Sequence, residues 1–171
     1  MKSLILGGVK SGKSRYAENL ATSISESVTV IATATVMDEE MAIRIARHQE
    51  DRPASWRTIE EPLHLGEALR SITDAEVVVI DCLTLWLTNL LMHSDSNKLN
   101  EEIDDFEQAI RAFNLPLVLV SNETNMGIVP LGDLTRRYCD QVGLLHQRLA
   151  QVCDKVQLIV AGLPLTLKSN G

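Results

Sequence analysis

The 171-residue chain carries 16 Lys and Arg against 23 Asp and Glu, a formal net charge of −7. That balance excludes nucleic-acid binding through bulk charge, although a local nest of N–H groups with a few cations can still hold a phosphorylated small ligand. Hydrophobic residues at 45% suffice for the core of one ordinary domain, and no apolar run approaches the roughly 18 residues of a membrane span. The first residues lack a long apolar signal core, so the cytoplasm is the expected compartment. Cys82, Cys139 and Cys153 lie far apart without metal-ligand spacing and read as reduced thiols, mostly buried.

In chain order, the apolar run Ser3–Leu6 is the first predicted strand. Residues Gly7, Gly8, Val9, Lys10, Ser11, Gly12, Lys13 and Ser14 follow it and open a predicted helix over Ser14–Ser25. They satisfy G-x-x-x-x-G-K-[ST] in the strand-to-helix context that the motif requires. Glycines let the backbone wrap a phosphate, and successive N–H groups with the helix N-terminus supply positive potential. Lys13 would reach the β- and γ-phosphates, and the Ser14 hydroxyl would coordinate Mg²⁺.

Val28–Thr33 is the second strand, followed by a helical stretch over Glu39–Gln49. On that helix Met41, Ile45 and His48 share one face, with Arg44, Arg47 and Arg52 around the histidine. A neutral imidazole among arginines can attack phosphorus and split one transfer into two steps. On spacing alone the blander reading is favoured, in which His48 completes a core face and the arginines are solvated.

Helical periodicity continues over Leu63–Ile72. Val77–Asp81 is a third strand whose tip presents Asp81, an acidic residue placed to hold the metal of a phosphate loop. The plainer alternative, less favoured, is that Asp81 caps the helix predicted over Leu83–Met92, and it could serve as both. The polar stretch Met92–Asn100 reads as a loop, and Leu99–Phe113 as a helix. Leu117–Ser121 is a fourth strand, with Glu123 just beyond it as a weaker acidic candidate at the same edge. Leu131–Asp154 reads as a helix, Val156–Ala161 as the last strand, and the final Lys-Ser-Asn-Gly as a frayed tail. His64, His93 and His146 read as surface or structural residues. Apolar strands alternating with amphipathic helices predict an α/β fold with a mainly parallel, doubly wound sheet flanked by helices, one domain over residues 1–171.

Taken together, GGVKSGKSRYAENL, DEEMAIRIARHQEDRPASWRTIEEP, DCLTLWLTNLL, VSNETNMGIVP and GLPLTLK resemble, in order and over nearly the whole chain, one family. It is the bifunctional adenosylcobinamide kinase/adenosylcobinamide-phosphate guanylyltransferase family of cobalamin biosynthesis. The resemblance implies a RecA-like P-loop domain, typically trimeric. It implies phosphorylation of adenosylcobinamide with ATP or GTP, then GMP transfer from GTP to give adenosylcobinamide-GDP and pyrophosphate. By the same resemblance His48 is the guanylylated histidine; Arg47 stands where some relatives carry a second histidine. Nucleotide contacts carry over to Gly7–Ser14, to Ala32, Thr33 and Ala34, to Gln49, Glu50, Asp51 and Arg52, and to Glu60 and Asp81. A carboxylate at Glu60 or Asp81 suits the N1–H and N2 donors of guanine, so Asp81 stays open between metal and base. Two positions depart from the family pattern: Asn125 replaces a glycine, and His146 stands where Asn is common. Two rivals remain, a P-loop small-molecule kinase without guanylyl transfer and a GTPase-like switch. No N-K-x-D motif supports the switch.

Overall fold

The computed structural model describes residues 1–35, 53–93, 95 and 97–170. Seven strands, β1 (Lys2–Gly7), β2 (Val28–Ala32), β3 (Arg57–Glu60), β4 (Val77–Asp81), β5 (Leu117–Asn122), β6 (Lys155–Val160) and β7 (Leu163–Ser169), form one sheet. Their order is β3-β2-β4-β5-β1-β6-β7, and every pairing is parallel except β6 with β7. The described helices are α1 (Lys13–Ile24), α2 (Leu65–Ser71), α3 (Leu83–Leu91), α4 (Lys98–Ala112) and α5 (Asp133–Val152). The helix predicted over 39–49 lies outside the described residues.

The continuous apolar runs of the central strands have a direct physical reason. Successive side chains point to opposite faces of a pleated sheet, so a strand covered on both faces must be apolar throughout. In β4, Val78 and Ile80 enter the larger core under α2, α3, α4 and α5, while Val77 and Val79 enter the smaller one under α1. Leu117 and Leu119 against Val118 and Val120 in β5 divide the same way. Trp86 on α3 is fully buried, edge-on to Phe106 of α4 with ring centroids 5.1 Å apart, and its indole N–H donates to the Leu63 carbonyl at 2.7 Å. Arg148 of α5 reaches both Asp104 and Glu107 of α4 at 2.6 Å, tying the two long helices together along their rim.

Two strands escape the apolar-run criterion. β3 is a four-residue edge strand, exposed along most of its length. β7 is an exposed antiparallel edge, and half of the predicted frayed tail is strand instead. Lys168 and Ser169 belong to β7, and the Lys168 ammonium donates to the Ala150, Gln151 and Cys153 carbonyls at 2.9, 3.2 and 2.7 Å. Those carbonyls end α5, where a cation is favoured. Ala161, predicted as strand, is instead the first residue of the β6–β7 turn, with φ of 51° at Ala161 and 79° at Gly162. A two-residue hairpin turn of this hand requires positive φ at both positions.

Candidate nucleotide site

Strand β1 is buried from Ser3 onward and delivers the glycine loop at the carboxyl edge of the sheet. The loop closes with Ser11 N–H donating to the Gly8 carbonyl at 3.2 Å, Lys10 at φ 55° and Gly12 at φ 95°. Gly7 has no room for a side chain: a Cβ there would stand 2.8 Å from the Ile159 carbonyl and closer still to Ser11 Oγ. The β6–β7 turn props the loop from outside, with Gly162 N–H donating to the Ser11 carbonyl at 2.8 Å. A Cβ at Gly12 would meet Gly162 Cα at 3.2 Å, so two glycines make this close approach possible. Inside the loop, Ser11 Oγ is buried with no protein partner.

Lys13 is 9% exposed and donates to the Gly8 carbonyl at 3.2 Å. Burial lowers its pKa, opposed by charge at Cys82 and Asp81. Burial also pushes the Cys82 thiol up and keeps it protonated, so Asp81 supplies the opposing charge. The structure thus brings the loop lysine and the β4 acid into one electrostatic unit. A hydroxyl at Ser14 and a carboxylate at Asp81 are hard oxygen donors, a set that fits Mg²⁺ shared with nucleotide phosphates and water. No group of three or more His, Cys, Asp or Glu able to hold a metal occurs among the described residues.

Ala32 of β2 is in register with Glu60 on one side and Asp81 on the other, so these three predicted contact residues form one row across the sheet edge. Glu60 is exposed at the end of β3, and Ala34 is half-buried just beyond β2. Thr33 is buried, and its hydroxyl both donates to the Cys82 carbonyl (2.7 Å) and accepts from Cys82 N–H (3.0 Å). That hydroxyl braces the residue after Asp81, and the Thr33 N–H donates to the Asp81 carbonyl itself at 3.3 Å. His48, Gln49, Glu50, Asp51 and Arg52 lie outside the described residues.

Two further residues of the site, Asn89 and Ser121, were not singled out by sequence. Asn89 of α3 donates to the Thr33 carbonyl at 2.9 Å and to the Pro62 carbonyl at 3.1 Å, joining the segments that follow β2 and β3. Its signal lay in DCLTLWLTNLL, where Asn89 is the one amide on a helix otherwise built of apolar residues and threonines. At the tip of β5, His146 Nε2 lies 2.8 Å from Ser121 Oγ and its Nδ1 lies 3.7 Å from Glu123 Oε2. The His146 ring is buried, and burial lowers its pKa against the opposing pull of Glu123. Asn125 lies on the same segment and donates to the Cys139 carbonyl of α5 at 2.8 Å.

The profile of the family described as cobinamide kinase / cobinamide phosphate guanyltransferase matches residues 3–167. A Pseudomonas aeruginosa protein named bifunctional adenosylcobalamin biosynthesis protein CobP is 51% identical over 171 residues, covering 99% of both chains. An Escherichia coli K12 protein named bifunctional adenosylcobalamin biosynthesis protein CobU is 38% identical over 182 residues, covering 98% of this chain and all of the relative. Among solved structures, a KaiC-like protein from Pyrococcus horikoshii OT3 superposes with a TM-score of 0.52 at 14% identity, covering 92% of this chain and 69% of the other. A second protein of that archaeon gives 0.53 at 8% identity, with 99% and 87% covered. These two likenesses concern the fold, which is that of RecA-like P-loop domains.

Proposed function

The chain belongs to the cobinamide kinase / cobinamide phosphate guanyltransferase family, and from that premise we propose that its single domain, residues 1–171, runs two successive reactions at the edge built around Gly7–Ser14. In the first, ATP or GTP phosphorylates the aminopropanol hydroxyl of adenosylcobinamide. In the second, GMP passes from GTP to that phosphate, giving adenosylcobinamide-GDP and pyrophosphate. The observation that carries this reading is the buried Lys13 set against the charge of Asp81 at the mouth of the phosphate loop.

Lys13 answers the charge of the γ-phosphate, and the loop N–H groups hold the remaining oxygens. Ser14 and Asp81 would hold Mg²⁺, which when bound neutralises charge on the phosphate oxygens. The row of Glu60, Ala32 and Asp81 offers carboxylate acceptors to the donor edge of guanine, with Gln49–Arg52 completing the nucleotide contacts. In the second reaction the neutral imidazole of His48 attacks the α-phosphorus of GTP, the bond to the β-phosphate oxygen breaks, and pyrophosphate leaves with the electron pair. The substrate phosphate then displaces the imidazole and takes GMP. The arginines around His48 favour the neutral ring, because like charges disfavour protonation. The assembly proposed is a homotrimer working in the cytoplasm, and the exposed Val160, Leu163, Leu165 and Leu167 support a face shared between copies.

The test compares GTP labelled at the α-phosphate with GTP labelled at the γ-phosphate, on wild type and His48→Ala. Acid-labile, alkali-stable α-label on wild type and none on the variant is the expected result. No covalent α-label on either protein would leave a kinase without guanylyl transfer.

A further inference from the structure

Phosphorylation of a hydroxyl releases a proton, and the site described so far has no group to receive it. Six parallel strands bring their carboxyl ends to the nucleotide edge in the order β3-β2-β4-β5-β1-β6, so β5 alone stands between the phosphate-loop strand and the Asp81 strand. Register places Asn122 opposite Gly7, while Asp81 is level with Val120. Glu123 therefore projects beyond Asp81 at the crevice where ligands of such sheets bind. Its backbone N–H donates to the Gly7 carbonyl at 3.0 Å, which anchors the residue to the root of the phosphate loop.

The other described carboxylates at this edge are committed or remote. Glu61 Oε1 accepts from Leu63 N–H and His64 N–H at 2.9 and 2.8 Å, ahead of α2. Glu60 ends β3, four strands from β1. Asp81 is assigned to metal or guanine. Glu123 is held from two sides instead. Asn125 N–H donates to its Oε1 at 2.7 Å, and His146 Nδ1 lies 3.7 Å from its Oε2. In the tautomer that carries its proton on Nδ1, His146 accepts from the buried Ser121 hydroxyl at Nε2 and turns the Nδ1–H toward the carboxylate. The Glu123 side chain keeps 17% of its surface, so it is fixed in direction without being sealed off.

We propose that Glu123 is the proton acceptor of the kinase reaction and that His146 is its positioning residue. The inference rests on the kinase reading given above. As the substrate hydroxyl oxygen bonds to the γ-phosphorus, the bond from phosphorus to the β-phosphate oxygen breaks and its electron pair leaves with the nucleoside diphosphate. The hydroxyl proton passes to the Glu123 carboxylate and from there to water.

The experiment measures single-turnover phosphate transfer from γ-labelled ATP to adenosylcobinamide, and separately GMP transfer to preformed adenosylcobinamide phosphate. Glu123→Gln is expected to lower the kinase kcat by about 10²–10⁴-fold with little change in KM, and to depress it far more than GMP transfer. Glu123→Ala is expected to regain kinase turnover with added formate, which decides the matter even where the Gln variant does not fold. His146→Leu is expected to lose part of the kinase kcat, with His146→Asn, whose amide can still donate, restoring it. A kinase kcat for Glu123→Gln close to wild type, an equal fall in both reactions, or no response of Glu123→Ala to formate would overturn the proposal. Wild type that never phosphorylates adenosylcobinamide would instead sink the kinase reading itself.

Discussion

At the scale of single residues, His146 shows how a buried ring on α5 can be tied to the end of β5. Its ring is buried at the tip of β5, bonded to a buried serine and facing a carboxylate. Burial holds its pKa below 6.5, with Glu123 pulling the other way. In the unfolded chain the same imidazole titrates near its ordinary value, so between the two pKa values the unfolded state binds more protons. The neutral ring's contribution to stability is therefore complete above pH 6.5 and is lost as pH falls toward the lower folded value. Thermal unfolding of wild type and His146→Asn, followed from about pH 7.5 to about 5.5, should show wild type losing ground as acid is added. A difference that stays constant with pH would mean that the ring titrates alike in the folded and unfolded chains, and one that grows in favour of wild type as acid is added would mean that folding raises its pKa.

The phosphate loop was legible in the sequence because its chemistry is local: eight consecutive residues carry the pattern and the flanks carry the context. Asp81 was legible for the same reason, as the acid ending an apolar run. Glu123, Ser121 and His146 were not legible as a unit, since 25 residues separate Ser121 from His146 and no periodicity links them. The support that Gly162 gives to Ser11 was equally hidden, because it depends on a turn that folds back across the sheet edge.

At the scale of elements, α3 does more than fill the core. Its apolar face buries Leu83, Trp86, Leu87 and Leu90, which fixes the helix against α4 and the sheet. That anchoring gives Asn89 its function. From a rigid position its amide donates to the Thr33 and Pro62 carbonyls, and its oxygen accepts from Thr35 Oγ1 at 3.3 Å. The segment after β2 carries the predicted contact Ala34, and the segment after β3 follows directly on Glu60, so Asn89 ties together the two sides of this wall of the site. Asn89→Leu keeps the branched side-chain shape and does not lower helix propensity, but leaves two carbonyls without their donor, at a cost of about 1–3 kcal/mol for each that stays buried. Equilibrium titration with GTP should show weaker binding than wild type and a lower thermal midpoint. Wild-type affinity in a folded variant would show that the two segments are positioned without α3.

The sequence signal was strong for elements that are apolar on both faces and weak for those at the rim. β4 and β5 announce themselves by unbroken runs, while β3, at RTIE, has one half-buried residue among four. β7 carried a different signal, the alternation Leu163, Leu165, Leu167, which marks a strand with one apolar face. Exposed edge strands of this kind invite pairing with another chain.

That property belongs to the whole molecule. Leu163 is 72% exposed, and Val160, Leu165 and Leu167 each leave more than half their surface in water, on the last two strands of the sheet. Apolar side chains gathered on a rim are costly in a monomer and are removed from water when copies pack together. If this rim is the face shared by the proposed trimer, wild type should sediment at three times the 18.9 kDa chain mass. Leu165→Asp should then fall to the mass of one chain, since a carboxylate buried there without a partner disfavours the interface. The same variant also tests a link between assembly and chemistry. The β6–β7 turn joins this rim directly to the phosphate loop through Gly162 and Ser11, so loosening β7 removes a prop from the loop. Nucleotide affinity should drop along with the assembled mass. A monomeric Leu165→Asp that binds GTP as wild type does would uncouple the two, and a variant that stays trimeric would move the interface to another face.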